Sequence, residues 1–384
     1  MHKRLKIVHV TPDLHLGGGG VKTLLKTFFY CFDSKLMEKI IVTNQSDESD
    51  RKDFHALGVS VFSRLITSQL DQGNALEITQ WLIETLKQLK PDIVHTHLFW
   101  GDTLGRQAAF RAGIPVIVST EHNTNLDESE KHRKIKRRLA QMTDCVVCVS
   151  EAVRKYSREI DQIPDDRMTV IYNSILLKDY EFNSDLKNRK QSEFVYVGRL
   201  EPQKNPLLLI EAFAEIAFER PDCRLCIIGN GSLMEQCLDK VQVLGLSTQV
   251  KFFGYQQKPW IAATQGSIFV LSSDFEGLPM AILEAMASGH VCILPKTGTI
   301  PEIADAGSEA IFYEAGNRDS LIDAMRFVLD MPEEQRIEIV QSARARVEKD
   351  FDAYKMTEQY LNLYQKLYLI KSKQMSSREN FLLA

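Results

Sequence analysis

Apolar, β-branched runs alternate with helical patterns along this chain, and the alternation happens twice. KIVHVT, EKIIVT, VSVFSR, DIVHTH, PVIVST, DCVVCVS and MTVIY read as strands, and between them lie segments with apolar residues at helical spacing, such as ALEITQWLIETLKQL. Such alternation implies a parallel sheet covered by helices on both faces. Between Lys178 and Ser192 the pattern lapses into polar KDYEFNSDLKNRKQS, then restarts with EFVYVGRL, RLCIIGNG, VKFFGY, SIFVLSS, HVCILP and AIFYE. A chain of 384 residues is long for one core. The expected fold is therefore α/β, with two doubly wound, Rossmann-like domains over residues 1–180 and 190–350, a helix over 351–370 and a loose tail at 371–384. In open sheets of this kind ligands bind beyond the carboxyl ends of the strands, so two such domains facing each other would hold a substrate in the cleft.

Bulk properties exclude several classes. A net charge of −4 argues against a general nucleic-acid binder, which needs a broad basic surface. The opening MHKRLKIVHVTPDL has its apolar run broken by Lys6 and His9 and ended by Thr11-Pro12, so it reads as a first strand and not a signal peptide. No run approaches the roughly 18 apolar residues of a membrane span. The seven cysteines include Cys145 with Cys148 and Cys223 with Cys226, but both pairs lie in strand-like runs, where residues three apart point to opposite faces and cannot chelate one zinc ion. Buried free thiols in a reducing cytoplasm are the expectation.

The stretch LGGGGVKT, Leu16 to Thr23, looks like a phosphate-binding loop. Aligning Lys22 and Thr23 with G-x-x-x-x-G-K-[ST] puts Leu16 and Val21 where glycine is obligatory. The dinucleotide pattern G-x-G-x-x-G fails as well, its last glycine falling on Lys22 or Thr23, which disfavours an NAD oxidoreductase. A flexible glycine turn between a strand and a helix is what remains.

The densest chemical signal is SSDFEGLPMAILEAMASG, Ser272 to Gly289. Pro279 suits the start of a helix and Gly289 its end, placing Glu276 in the loop before the helix and Glu284 inside it. Backbone amides of Leu278, Met280 and Ala281 would lie at the helix N-terminus, where phosphate oxygens are favoured by hydrogen bonds and the dipole. Carboxylates suit sugar or ribose hydroxyls. Upstream, in VYVGRLEPQKNPLLLIEAF, Arg199 follows a strand directly and Lys204 precedes an Asn205-Pro206 helix start. Both cations would sit at the carboxyl edge of the second sheet, where they could neutralise a diphosphate without a metal. Taken singly, the same residues also fit an acidic pair beside a capped helix and two solvated surface cations. The one D-x-D pair, Asp350-Phe351-Asp352, falls at the start of the last helix, where capping explains it.

Together GRLEPQKNP, FEGLPMAILEAMASG and the later TGTIPEIADAG resemble glycosyltransferase family 4, and GGGG, DIVHTH, STEHN, VIYNS and YKMTEQYLNLYQKL extend the resemblance over nearly the whole chain. The resemblance implies a retaining, metal-independent enzyme of the GT-B fold that moves a hexose from a nucleotide-diphosphate sugar to a glycan, polysaccharide or lipid-linked acceptor of the cell envelope. The helix over 351–370 would then pack back toward the first domain. Glu276 would hold donor-sugar hydroxyls, Glu284 the ribose, Arg199 and Lys204 the diphosphate, and His122 of STEHN the reacting sugar. His97 would shape the cleft, while Gly18, Gly19 and Gly20 would let backbone approach the donor or acceptor. No cofactor and no metal is expected. Two positions depart from the family pattern: Asn173-Ser174 replaces Asn-Gly, and Gly298-Thr299-Ile300 stands where Gly-Gly precedes Pro-Glu, near the donor sugar's expected place.

The segment EKHRKIKRRLAQM carries Lys131, Arg133, Lys134, Lys136, Arg137 and Arg138, with Ile135, Leu139 and Met142 on one helix face. It reads as an amphipathic basic helix able to rest on anionic lipid, which would make a cytoplasmic protein peripheral to the inner membrane face. A nucleotide-sugar epimerase on the same fold and a non-catalytic sugar-binding module are the alternative readings.

Overall fold

The computed structural model describes residues 4–14, 20–64, 74–124, 126, 128–182, 192–263 and 267–383. The chain divides into two compact units, Met1–Asn173 with Ala353–Ala384, and Ser174–Asp352.

In the first unit the strands are β1 (Leu5–Asp13), β2 (Met37–Gln45), β3 (Ser60–Ser63), β4 (Ile93–His97), β5 (Val116–Glu121), β6 (Cys145–Cys148) and β7 (Met168–Val170). They pair in parallel in the order β3-β2-β1-β4-β5-β6-β7. The intervening helices are α1 (Gly20–Cys31), α2 (Glu48–Ala56), α3 (Ala75–Leu89), α4 (Phe99–Ala112), α5 (Glu130–Ala140) and α6 (Glu151–Glu159). Strands alternate faces at every residue, so Leu5 and Ile7 join one core with Phe28 and Phe29, while Val8 and Val10 join another with Leu82 and Leu104. That same alternation sends His9 and His95, which are register partners, to the face carrying Ile7 and Ile93.

The second unit repeats the plan. Its strands β8 (Glu193–Val197), β9 (Arg224–Ile228), β10 (Val250–Gly254), β11 (Ile268–Val270), β12 (Val291–Pro295) and β13 (Ile311–Tyr313) lie in the order β10-β9-β8-β11-β12-β13, all parallel. The helices are α7 (Pro206–Glu219), α8 (Met234–Val243), α9 (Pro259–Ala262), α10 (Met280–Ala287), α11 (Ile300–Ile303), α12 (Arg318–Asp330) and α13 (Glu333–Asp350). In each sheet the strand order reverses beside the unit's first strand, between β1 and β4 and between β8 and β11. Such a switch point opens a crevice at the carboxyl ends.

A last helix, α14 (Ala353–Leu383), belongs to the first unit, where Met356, Tyr360 and Tyr364 join the core of Leu5 and Phe28. It continues through residues 371–383, where the sequence pattern suggests a tail. That stretch, KSKQMSSRENFLL, contains neither glycine nor proline to stop a helix.

The basic segment differs from its sequence reading. On α5, Lys136 is buried against Glu121, Glu128 and Asp161 at 2.9, 3.2 and 2.9 Å. Burial alone would lower its pKa, but the three carboxylates together hold it above the usual lysine range. Arg137 binds Glu130, and Arg133 donates to the Tyr156 hydroxyl at 3.3 Å. Leu139 is buried and Ile135 half-buried. Three of the six cations and the apolar face therefore serve the fold, leaving Lys131, Lys134 and Arg138 exposed.

Candidate functional site

At the carboxyl ends of β8 and β11 two loops are stitched together. The Ser272 hydroxyl donates to the Lys204 carbonyl at 2.8 Å, the Asp274 amide to the Gln203 carbonyl at 2.9 Å and the Gln203 side chain to the Phe275 carbonyl at 2.8 Å. These bonds carry Lys204 Nζ to Glu276 Oε1, 2.5 Å apart. Glu276 is buried and Lys204 half-buried, a charge pair that burial makes costly unless each partner is satisfied. An ammonium has three donors, so Lys204 keeps two for another anion.

The loop after β12 closes a third side. The Thr299 hydroxyl donates to the Glu276 carbonyl at 3.3 Å, and the Thr297 hydroxyl to the Asp274 carbonyl at 3.0 Å. Gly298, at φ +52°, sits so close that an added Cβ would lie 3.0 Å from the Glu276 carbonyl oxygen. Thr299, which replaces the family's second glycine, thus helps anchor the acidic loop.

Arg199 follows β8 at the same edge, its carbonyl held by the Tyr196 hydroxyl at 2.8 Å. Its side chain is exposed. The β9 loop presses on this turn from behind: the Gly198 amide donates to the Ile228 carbonyl and the Leu200 amide to the Asn230 carbonyl, each at 3.0 Å. Gly229 has φ +145°, and a Cβ there would lie 1.8 Å from the Gly198 carbonyl oxygen. Gly229→Ala is therefore expected to destabilise the protein by about 3 kcal/mol or more, from strain and overlap together. Urea titration checks this, and an unshifted midpoint would contradict it.

Helix α10 starts after Pro279, with the Ile282 amide bonded back to the Pro279 carbonyl at 3.1 Å. The amides of Met280 and Ala281 have no intrahelical acceptor by position, and Leu278 lies one residue before the capping Pro279. Glu284, one turn in, accepts from Trp260 Nε1 at 2.8 Å and from the Tyr180 hydroxyl. Burial raises its pKa, while those two donors oppose the rise. Neither partner was apparent in the sequence, since Trp260 comes from α9 and Tyr180 from the connection into this unit. A carboxylate offers about four lone-pair sites, so two remain for a diol.

In the first unit His122 directly follows β5 and is half-buried. Its Nε2 lies 3.2 Å from His97 Nδ1, and His97 Nε2 lies 3.0 Å from His9 Nδ1. Burial lowers the pKa of His9 to about 3. Burial also lowers His122, to about 4, against an opposing pull from Glu121. His95 and His97 are driven well below the ordinary value, again by burial first. Four neutral imidazoles cluster here. The signal was present in VHVT and VHTH, whose alternate residues share a face on adjacent strands. Gly18 and Gly19 lie outside the described residues.

Potential ligand atoms of His9, His95 and His97 lie within 4.8 Å of one another. Both His95 nitrogens are already engaged, by the Tyr364 hydroxyl at 2.6 Å and the Thr120 hydroxyl at 2.7 Å. A metal at this cluster would have to break those bonds.

Comparison with known proteins gives concordant matches. Residues 18–178 match the family model described as Glycosyltransferase Family 4, and residues 178–346 that described as Glycosyl transferases group 1. A UDP-Gal:alpha-D-GlcNAc-diphosphoundecaprenol alpha-1,3-galactosyltransferase of Escherichia coli is 28% identical over 389 residues, covering 94% of this chain and 97% of that protein. A lipopolysaccharide 1,6-galactosyltransferase of Salmonella typhimurium is 26% identical, over 82% of this chain and 87% of its own. Among solved structures, Anabaena HepE in complex with UDP and glucose superposes with a TM-score of 0.80 at 18% identity, covering 94% of this chain and 100% of that one.

Proposed function

This chain belongs to glycosyltransferase family 4 and has the GT-B fold, and from that premise we propose that it transfers a hexose from a nucleotide-diphosphate sugar, with retention and without a metal, to a lipid-linked glycan. The observation that carries the reading is the Lys204–Glu276 pair held by three carboxyl-end loops at the β8/β11 switch point. Lys204 and Arg199 neutralise the diphosphate, and the Leu278 amide together with the leading α10 amides of Met280 and Ala281 add oriented dipoles. Glu276 receives sugar hydroxyls, Glu284 the ribose diol, and His122 an oxygen of the sugar nucleotide. As the bond between the anomeric carbon and the phosphate oxygen breaks, its electron pair passes to the diphosphate. The acceptor hydroxyl bonds to the same face of that carbon and gives its proton to the departing oxygen, so no carboxylate base is required. Positioning and charge stabilisation do the work.

A lipid-linked acceptor is supported by the E. coli relative, which acts on alpha-D-GlcNAc-diphosphoundecaprenol and matches over 94% of this chain. The direct test incubates the enzyme with UDP-sugars and a synthetic polyprenyl-diphosphate glycan. A product with the donor's anomeric configuration is expected; an inverted product, or isomerised donor with no transfer, would contradict the reading.

Such an acceptor places the enzyme at a membrane surface, and no helix among the described residues is long and apolar enough to cross one. Contact is then electrostatic, through Lys131, Lys134 and Arg138, exposed at spacings of three and four on α5. Sedimentation with anionic vesicles at low salt is expected to pellet the protein, and charge reversal at all three residues to release it. Equal pelleting of that variant would exclude this face.

A further inference from the structure

Resting on the reading that His122 touches the donor, we infer that His9 and His97 are positioning residues for it, together fixing which nitrogen of His122 carries the proton. The three rings form an open chain, His9 Nδ1 to His97 Nε2 at 3.0 Å and His97 Nδ1 to His122 Nε2 at 3.2 Å. A neutral imidazole has one donor and one acceptor nitrogen. If His97 donates to His122 it must accept from His9, and if it accepts from His122 it must donate to His9. Only two arrangements satisfy both links.

In the first, every proton sits on Nδ1. In the second, every proton sits on Nε2, and the chain ends in a His9 Nε2–H. That atom is buried and, among the described residues, has no hydrogen-bond partner. Around it Phe28 and Phe29 stand 5.3 and 5.1 Å from the His9 ring, centroid to centroid. An orphaned buried N–H is rarer than an under-used acceptor, so the first arrangement prevails. The rings are also braced sideways. His95, held by Tyr364 and Thr120, packs on His97 with centroids 4.3 Å apart.

His122 therefore presents Nδ1–H as a fixed donor to an oxygen of the bound sugar nucleotide, a hydroxyl or a phosphate oxygen. Its specificity is set by His9, whose link to it runs through the core. Such preorganisation acts on the chemical step more than on ground-state binding.

Long-range proton–nitrogen correlation spectra of the full chain labelled with 15N-histidine report the tautomer directly. Wild type is expected to show His122 as Nδ1–H. His9→Asp, whose carboxylate can only accept from His97 Nε2, should reverse the chain to Nε2–H at His122 and lower kcat about tenfold with donor KM within about twofold. His9→Asn, whose amide N–H replaces the Nδ1 donor, should restore most of both. An Nε2–H signature in wild type overturns the inference even if the aspartate variant does not fold, and so does an unchanged His122 spectrum in a folded His9→Asp. Full transfer by His122→Ala would instead overturn the parent reading of donor contact, a separate result from the tautomer.

Discussion

Alanine at Lys204 is expected to lower turnover by about a hundredfold, the scale on which a preorganised charge-stabilising group contributes to a transition state. Two losses combine. The departing diphosphate loses a cation, and Glu276 keeps a buried carboxylate with its ammonium partner gone. The second loss separates this prediction from a simple surface-charge effect. Glu276→Gln in the Lys204→Ala background should cost less than Glu276→Gln alone, because the carboxylate left unpaired is then neutral. Lys204→Arg should retain part of the rate, since the fork of a guanidinium meets a diphosphate but does not reproduce the 2.5 Å ammonium contact. Steady-state rates with saturating donor, on variants shown to be folded, decide the matter. Wild-type turnover in Lys204→Ala would remove the pair from the mechanism.

A large effect on stability is expected from acid. The neutral forms of His9, His95, His97 and His122 are favoured in the folded state, because burial lowers every one of their pKa values. The unfolded chain takes up these protons near pH 6.5, whereas folded His9 waits until about 3 and His122 until about 4. Stability from this source is thus complete above about pH 6.5 and declines as pH falls, by about 1.4 kcal/mol per pH unit for each histidine. Glu128 and Asp161, whose pKa values burial raises, act in the opposite direction at lower pH. The informative window therefore runs from about pH 6.5 to 5.5, above the ordinary carboxylate range. Urea midpoints should drop across it by an amount equivalent to several protons taken up on unfolding. Equal midpoints at the two ends would mean the histidines are not held neutral.

Sequence periodicity made both sheets legible, because strands buried on two faces read as short continuous apolar runs, as at residues 40–42, 116–118, 145–149 and 268–271. Placing Arg199, Lys204 and Glu276 at one sheet edge needed only their positions just after strands. The contact between Lys204 and Glu276 did not follow, since it depends on how the two loops cross-bond. Trp260 and Tyr180 were illegible for the same reason: each reaches Glu284 from a segment with no spacing relation to α10. On α5, spacing revealed an amphipathic basic helix but not that Lys136 faces inward, a choice made by three carboxylates from β5, the loop before α5 and the end of α6. Counting cations along a helix overstates its surface charge whenever acidic partners arrive from elsewhere in the fold.

Donor binding in the presence of a chelator tests the central claim most directly. A ligand bound only by the native state raises the melting temperature by mass action, so a panel of nucleotide sugars can be scanned with EDTA throughout. One nucleotide-diphosphate sugar is expected to raise it undiminished by EDTA, and to lose that effect when Arg199 and Lys204 are both alanine. A panel with no stabilising sugar nucleotide, or stabilisation that vanishes with EDTA and returns with magnesium or manganese, would contradict a site in which protein cations hold the diphosphate.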